Sequence, residues 1–150
     1  MNNIKIAKQL IKLAKSILAD DNNEANNEGD YKNFTGKIQY ENNEGTVKNA
    51  TFTLNAGKII WKDGVWEDGT WDDGIWQKGV WMKGTWNNGM WYNGVWKTGT
   101  WNGNEKDNIW YEGTWEDGTW NGGTWKGGDW KGGKDAEGNT HGKGDSPDRW

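Results

Sequence analysis

The chain holds a single histidine, His141, and no cysteine. Disulfides, thiolate metal sites and cysteine nucleophiles are therefore absent, and one imidazole offers little for a nucleophile–histidine pair or a zinc cage. Carboxylates do occur in pairs, Glu67-Asp68, Asp72-Asp73 and Glu116-Asp117, with the composition of an acid/base dyad or a set of calcium ligands. Each pair, however, occupies the place in a short repeat that Asn87-Asn88 and Lys126-Gly127 fill elsewhere, so we read them as solvated corner residues. Gly122-Gly123 and Gly127-Gly128 lack the Lys-Ser/Thr ending of a phosphate-binding loop. Aromatic chemistry remains. Tyr92, Tyr111 and Trp150 fall outside the main tryptophan pattern and are the candidate glycan contacts, since flat rings can stack on sugar faces. No catalytic, cofactor-binding or metal-binding set is assigned, and the expectation is a protein that is not an enzyme.

The element that must position these residues is a repeat. Fourteen tryptophans stand at 61, 66, 71, 76, 81, 86, 91, 96, 101, 110, 115, 120, 125 and 130, a five-residue beat with one interruption. Two residues before each Trp stands Gly, except for Ile59 and Asn108, and between them a β-branched residue, except for Met90 and Asp129. A fixed short period over half a chain signals a repeat architecture. An antiparallel meander with two-residue turns such as Asn88-Gly89 fails on parity: its strands would be three residues long, and residues two apart point their hydrogen-bonding groups to the same side. A solenoid has no such conflict, because successive coils pair in parallel. Trp and the corner residue two before it then point inward, with Asn108 expected to share the left-handed φ of the corner glycines. This assigns Trp66, Trp71, Trp76, Trp81, Trp86, Trp91, Trp96, Trp101, Trp115, Trp120 and Trp125 to the structural core. Mean hydropathy is only −1.14, yet each buried Trp hides on the order of 200 Å2, so the aromatics can supply a core that the aliphatic content cannot.

Over residues 58–133 the chain resembles the pentapeptide-repeat family in its period and its inward pairing. Trp stands for that family's inward Leu or Phe, and Gly for its Ala. The resemblance implies a right-handed β-solenoid, four-sided, with four units per coil. Charge does not decide the count: a four-unit register sets Asp63 against Lys83 and Asp68 against Asn88, and a three-unit register is equally free of like-charge contacts. In four-unit columns (Ile60/Val80/Thr100, Val65/Thr85/Ile109, Thr70/Met90/Thr114) no face is uniformly threonine, which argues against ice binding.

The expected organisation is an amphipathic basic helix over 1–19, a polar linker over 20–30, an irregular β cap over 31–60, the repeat solenoid over 61–133 with a loop insertion at 102–109, and an exit loop or tail over 134–150. The cap carries strand-like runs at 34–40 and 51–54, divided by a turn at Asn42–Gly45. In the helix, Ile4, Ala7, Leu10, Ile11, Ala14, Ile17 and Leu18 form an apolar stripe opposite Lys5, Lys8, Lys12 and Lys15. We read it as an attachment helix for a protein partner or for self-association, ahead of a membrane-surface helix or a cover for the end of the solenoid. The first 25 residues are also similar to N-terminal segments of tailed-phage head and structural proteins. There such a segment directs assembly and is clipped after a Glu, a position matched here by Glu24, with Asn22 departing from the Leu or Ile expected two before it. W-x-x-G-x repeats likewise look like those of tailed-phage structural proteins.

These features together lead us to expect a non-enzymatic structural or assembly protein, a phage virion component in homo-oligomeric form, located in the virion or in host cytoplasm during assembly. No signal peptide or transmembrane segment is read in the sequence. Formal charge of −4, spread over both signs, does not favour a nucleic-acid surface. The alternative is a carbohydrate- or surface-binding, adhesin-like module whose partner is a polysaccharide.

Overall fold

The computed structural model describes residues 3–17, 23–103 and 107–150. Helix α1 (Asn3–Ile17) precedes a mostly-β body. That body opens with β1 (Glu24–Ala25), β2 (Gly29–Tyr40), β3 (Asn43–Asn55) and β4 (Lys58–Trp71). From Gly74 onward every unit contributes a short strand ending on its Trp, and these strands stack as a β-solenoid.

Coils contain three units. Trp61 pairs with Trp76, Trp66 with Trp81 and Trp71 with Trp86, each fifteen residues on and in parallel. The four-unit coil implied by the pentapeptide-repeat resemblance is therefore not the one adopted. Ring geometry gives the reason. Each Trp lies face to face with the Trp one coil away, at centroid separations such as 4.7 Å for Trp61–Trp76 and 5.1 Å for Trp66–Trp81. Rings displaced by a coil rise of about 4.8 Å touch at about 3.5 Å only if their normals tilt about 43° from the axis. Three such rings related by 120° have planes about 72° apart, whereas four related by 90° would lie about 58° apart. Successive Trp from Trp71 to Trp110 meet edge to face, as at 66° for Trp71–Trp76 and 73° for Trp101–Trp110. Three indoles close a triangular layer, and edge-to-face contact between neighbours with offset stacking along the column are the arrangements the ring quadrupole favours.

Backbone pairing repeats with the rings. The residue after each Trp donates to the carbonyl of the Trp one coil earlier, as in Gln77 N–H to Trp61 O at 2.8 Å, and the residue before it donates to a corner glycine, as in Val95 N–H to Gly79 O at 2.9 Å. The corner cannot carry a side chain. Gly94 has φ +120°, and a Cβ there would lie 2.4 Å from Gly79 O. This replaces the Ala of the pentapeptide-repeat pattern: the coils approach backbone to backbone at the corners while the indoles fill the interior. The corner expectation fails at Asn108, which is not among the positive-φ residues.

The first coil is a single strand, β4, carrying Trp61, Trp66 and Trp71. β3 runs antiparallel to it with register shifts, and β2 runs antiparallel to β3. Ala56-Gly57, both at positive φ, turn β3 into β4, and Glu41-Asn42 turn β2 into β3, slightly earlier than the Asn42–Gly45 turn expected. Phe52 covers Trp61 at 5.8 Å and 8°, and Tyr31 covers Phe52 at 4.9 Å and 14°, so β3 and β2 continue one aromatic column beyond the first Trp. Covering the first tryptophan layer thus falls to these strands. Strand β1 and the start of β2 lie inside the segment read as a polar linker, where Ala25 is fully buried.

Candidate functional site

The tryptophans assigned to the core are all buried, as are Trp61, Trp110 and Trp130. Their indole N–H groups follow a rule: from Trp71 onward most donate to a backbone carbonyl in the next coil, such as Trp76 to Asn93 O and Trp96 to Asp117 O, both 3.1 Å. Trp86 is the exception that explains Asn108. Here the loop insertion follows in the next coil, and the Asn108 side chain serves in place of a backbone carbonyl, its Oδ1 accepting from Trp86 Nε1 at 2.8 Å. Asn108 is fully buried and also donates through Nδ2 to Asn102 O. Its presence in place of glycine is thus a matter of hydrogen bonding, not of φ. Among the described residues Trp61, Trp66 and Trp81 Nε1 have no acceptor.

With an interior filled by indole, chemistry is confined to three outer faces and the two ends. On the face bearing Trp71, Trp86, Trp101 and Trp120, the outward residue before each Trp is threonine: Thr70, Thr85, Thr100 and Thr119 align in one column. The ground on which ice binding was set aside, that no column is uniformly threonine, does not hold in the three-unit register. The array is short, three coil rises or about 14 Å, and it ends on Glu44 and Lys134. The neighbouring amides are bonded to one another, Asn102 Nδ2 to Asn87 Oδ1 at 3.1 Å and Asn121 Nδ2 to Asn102 Oδ1 at 2.9 Å. We read this face as a self-bonded ladder.

Tyr92 and Tyr111 sit one coil apart on the face of Trp91 and Trp110, stacked on each other at 4.8 Å and 5°. Each therefore covers one face of the other. Trp150 is elsewhere, in the C-terminal segment. The residues read as an exit loop or tail form a hairpin, Gly133–Lys134 against Thr140–His141, followed by a 3-10 turn at Pro147–Arg149. His141 organises it. Its Nε2 lies 2.8 Å from Asp135 Oδ2 and its Nδ1 2.7 Å from Asp145 Oδ2. Hydrogen bonds to Asp135 and then to Asp145 raise the His141 pKa, favouring the imidazolium, which can donate from both nitrogens. The same bond, helped by the backbone N–H groups of Asn139 and Glu137, holds Asp135 down at about 2. Trp150 stacks on the imidazole at 4.0 Å and meets Trp130 edge-on at 5.3 Å. Sequence reasoning passed over this cluster, although the spacing Asp135, His141, Asp145 was visible. Among the described residues no group of three or more His, Cys, Asp or Glu is placed to hold a metal ion.

In α1, Ile4 and Leu10 are 65% and 60% exposed, and Ala7 is exposed as well. Ile6, at the edge of the stripe, is also exposed. Ile11, Ala14 and Ile17 belong to the helix, while Leu18 lies outside the described residues, as do Asn104, Glu105 and Lys106 of the insertion. No helix is long and apolar enough to cross a membrane among the residues described. No family model matches the chain, and neither does any curated protein or solved structure.

Proposed function

We propose that this chain is a non-enzymatic structural or assembly protein, a rigid body carried by α1 as its attachment or self-association element. The observation that carries the reading is the contrast between the two parts. Every tryptophan of the repeat is spent on the interior, with relative exposures of 6% or less, while α1 presents Ile4 and Leu10 outward beside its lysines. An amphipathic helix with an exposed apolar stripe gains by burying it against a partner or another copy. A tailed-phage particle, with the protein located in the virion or in host cytoplasm during assembly, belongs to this proposal on the strength of the sequence resemblance. Neither a nucleic acid nor a cofactor enters it.

Removing residues 1–19 tests the reading. The truncated chain should keep its thermal midpoint and lose oligomerisation or partner capture, measured by light scattering and pull-down. Unchanged assembly after truncation would show that the helix is not the anchor. The adhesin-like alternative through Tyr92 and Tyr111 is weakened by their mutual stacking, which leaves no continuous row of open aromatic faces.

A further inference from the structure

Two of the three tryptophan columns stop at a cleft. Trp120 and Trp125 have a stacked Trp partner on one side only, Trp101 and Trp110 respectively. Against them lies an open cleft of about 640 Å3, lined also by Asn121, Glu137, Asp148 and Trp150. We infer that this cleft is a binding site for a neutral carbohydrate, of about disaccharide size.

Three features select that ligand chemistry. The first is an orphaned donor. Indole N–H groups in this fold point to the corner of the next coil, as Trp101 Nε1 does to Gly122 O at 3.1 Å. Above Trp120 the chain continues through Gly133–Lys134 with Asp135, not a Trp, at the next position of the column. The Trp120 Nε1 has no acceptor among the described residues and, unlike the buried Nε1 atoms of Trp61, Trp66 and Trp81, is not sealed from solvent, although the side chain is only 3% exposed. Gly122 and Gly123, which follow it, and Glu137, the residue seventeen on where other indoles find their acceptor, all line the cleft. The second feature is an aromatic platform: one face of Trp150 rests on His141, and the ring is 41% exposed. The third is a rim of acceptors. The Glu137 carboxylate is exposed and has no partner among the described residues, Asp148 accepts from Ser146 Oγ, and no Lys or Arg lines the cleft.

A cation would satisfy the carboxylates but cannot accept from the indole N–H. An anion would accept from it but meets the Glu137 and Asp148 carboxylates, while the nearby His141 imidazolium is already held between Asp135 and Asp145. A sugar hydroxyl accepts from one and donates to the other, while the ring's C–H face suits Trp150. The volume falls within the ordinary range of small-molecule sites, about 300–1,000 Å3. The inference is independent of the role given to α1.

The whole 150-residue chain should be titrated with cellobiose, maltose and lactose by ligand-observed NMR, with 3′-sialyllactose and choline as charged controls. Saturable binding of at least one neutral disaccharide, with Kd on the order of millimolar, is expected, and the charged controls should bind more weakly. Trp150→Ala and Glu137→Gln should each weaken binding about tenfold or more, Trp150→Phe should retain most of it, and Tyr92→Ala with Tyr111→Ala should leave it unchanged. Should Trp150→Ala disturb the C-terminal segment, Glu137→Gln decides, since that side chain is exposed and holds nothing in place. Absence of saturable binding to all three sugars, preference for choline, or affinity unaffected by Glu137→Gln in the folded protein would overturn the inference.

Discussion

At a corner glycine the reason for the residue is the neighbouring coil as much as φ. Placing a Cβ at Gly94 drives it to 2.4 Å from Gly79 O, a backbone atom held by its own ladder, at a φ that L side chains avoid. Gly94→Ala should therefore cost about 2–4 kcal/mol, read as a lowered urea midpoint. An unchanged midpoint would mean that the coils are not in backbone contact there. Asn108 makes the complementary case. Asn108→Ala leaves Trp86 Nε1 buried without an acceptor, which costs about 1–3 kcal/mol. Asn108→Gly restores the common corner residue and should be no better than Ala, because what is lost is the acceptor. Rescue by glycine would return the explanation to backbone conformation. Nothing in the residue pattern alone pointed to this role. Asn at a glycine position suggests positive φ, and only its bond to the Trp86 indole, one coil away, shows otherwise.

The C-terminal hairpin is held by a charge cluster, and its stability should follow pH in a definite direction. His141 has a raised pKa in the folded chain, first through Asp135 and then through Asp145. Its contribution is complete below the unfolded value of about 6.5 and is lost as pH rises through the higher folded value. Asp135 is lowered to about 2, so its contribution is present above its ordinary value and is lost as pH falls toward 2. The element should therefore be most protected from roughly pH 4 to 6.5. Amide exchange over residues 133–150 measures this, with opening expected on either side of that window. His141→Asn should remove the loss at high pH, and protection that stays flat with pH in the unaltered chain would contradict the account. At the other end, β2 and β3 show what element-level reading can and cannot reach. The alternating residues of 34–40 and 51–54 announced strands, but that β3 wraps along the whole first coil depends on Phe52 meeting Trp61 and on register shifts that no local pattern records.

Over the whole molecule, the five-residue beat made the solenoid and the inward tryptophans legible in the residue pattern itself. The count of units per coil was not. Surface charge tolerated both registers: Asp63 finds Lys78 at 3.6 Å and Asp68 finds Lys83 at 3.7 Å, but these exposed pairs are weak and the four-unit alternatives were no worse. What decides is the interior, where tilted indoles close a triangle, and ring tilt has no signature in a one-dimensional pattern. Among the site residues, the stacking of Tyr92 on Tyr111 and the cleft beside Trp150 likewise depend on coils aligned fifteen residues apart, or nineteen across the insertion.

Because the chain has no cysteine, engineered pairs can report that alignment directly. Thr85 and Thr100 are register partners on adjacent coils, a separation that a disulfide can span. Val80, by contrast, pairs with Val95 and lies on another face from Thr100, although the two are spaced as a four-unit coil would align them. The decisive measurement is intramolecular disulfide yield, by mass spectrometry after mild oxidation, in Thr85→Cys/Thr100→Cys and Val80→Cys/Thr100→Cys. Three tryptophans per coil predict efficient closure in the first pair and none in the second; closure of the second pair with the first left reduced would contradict it.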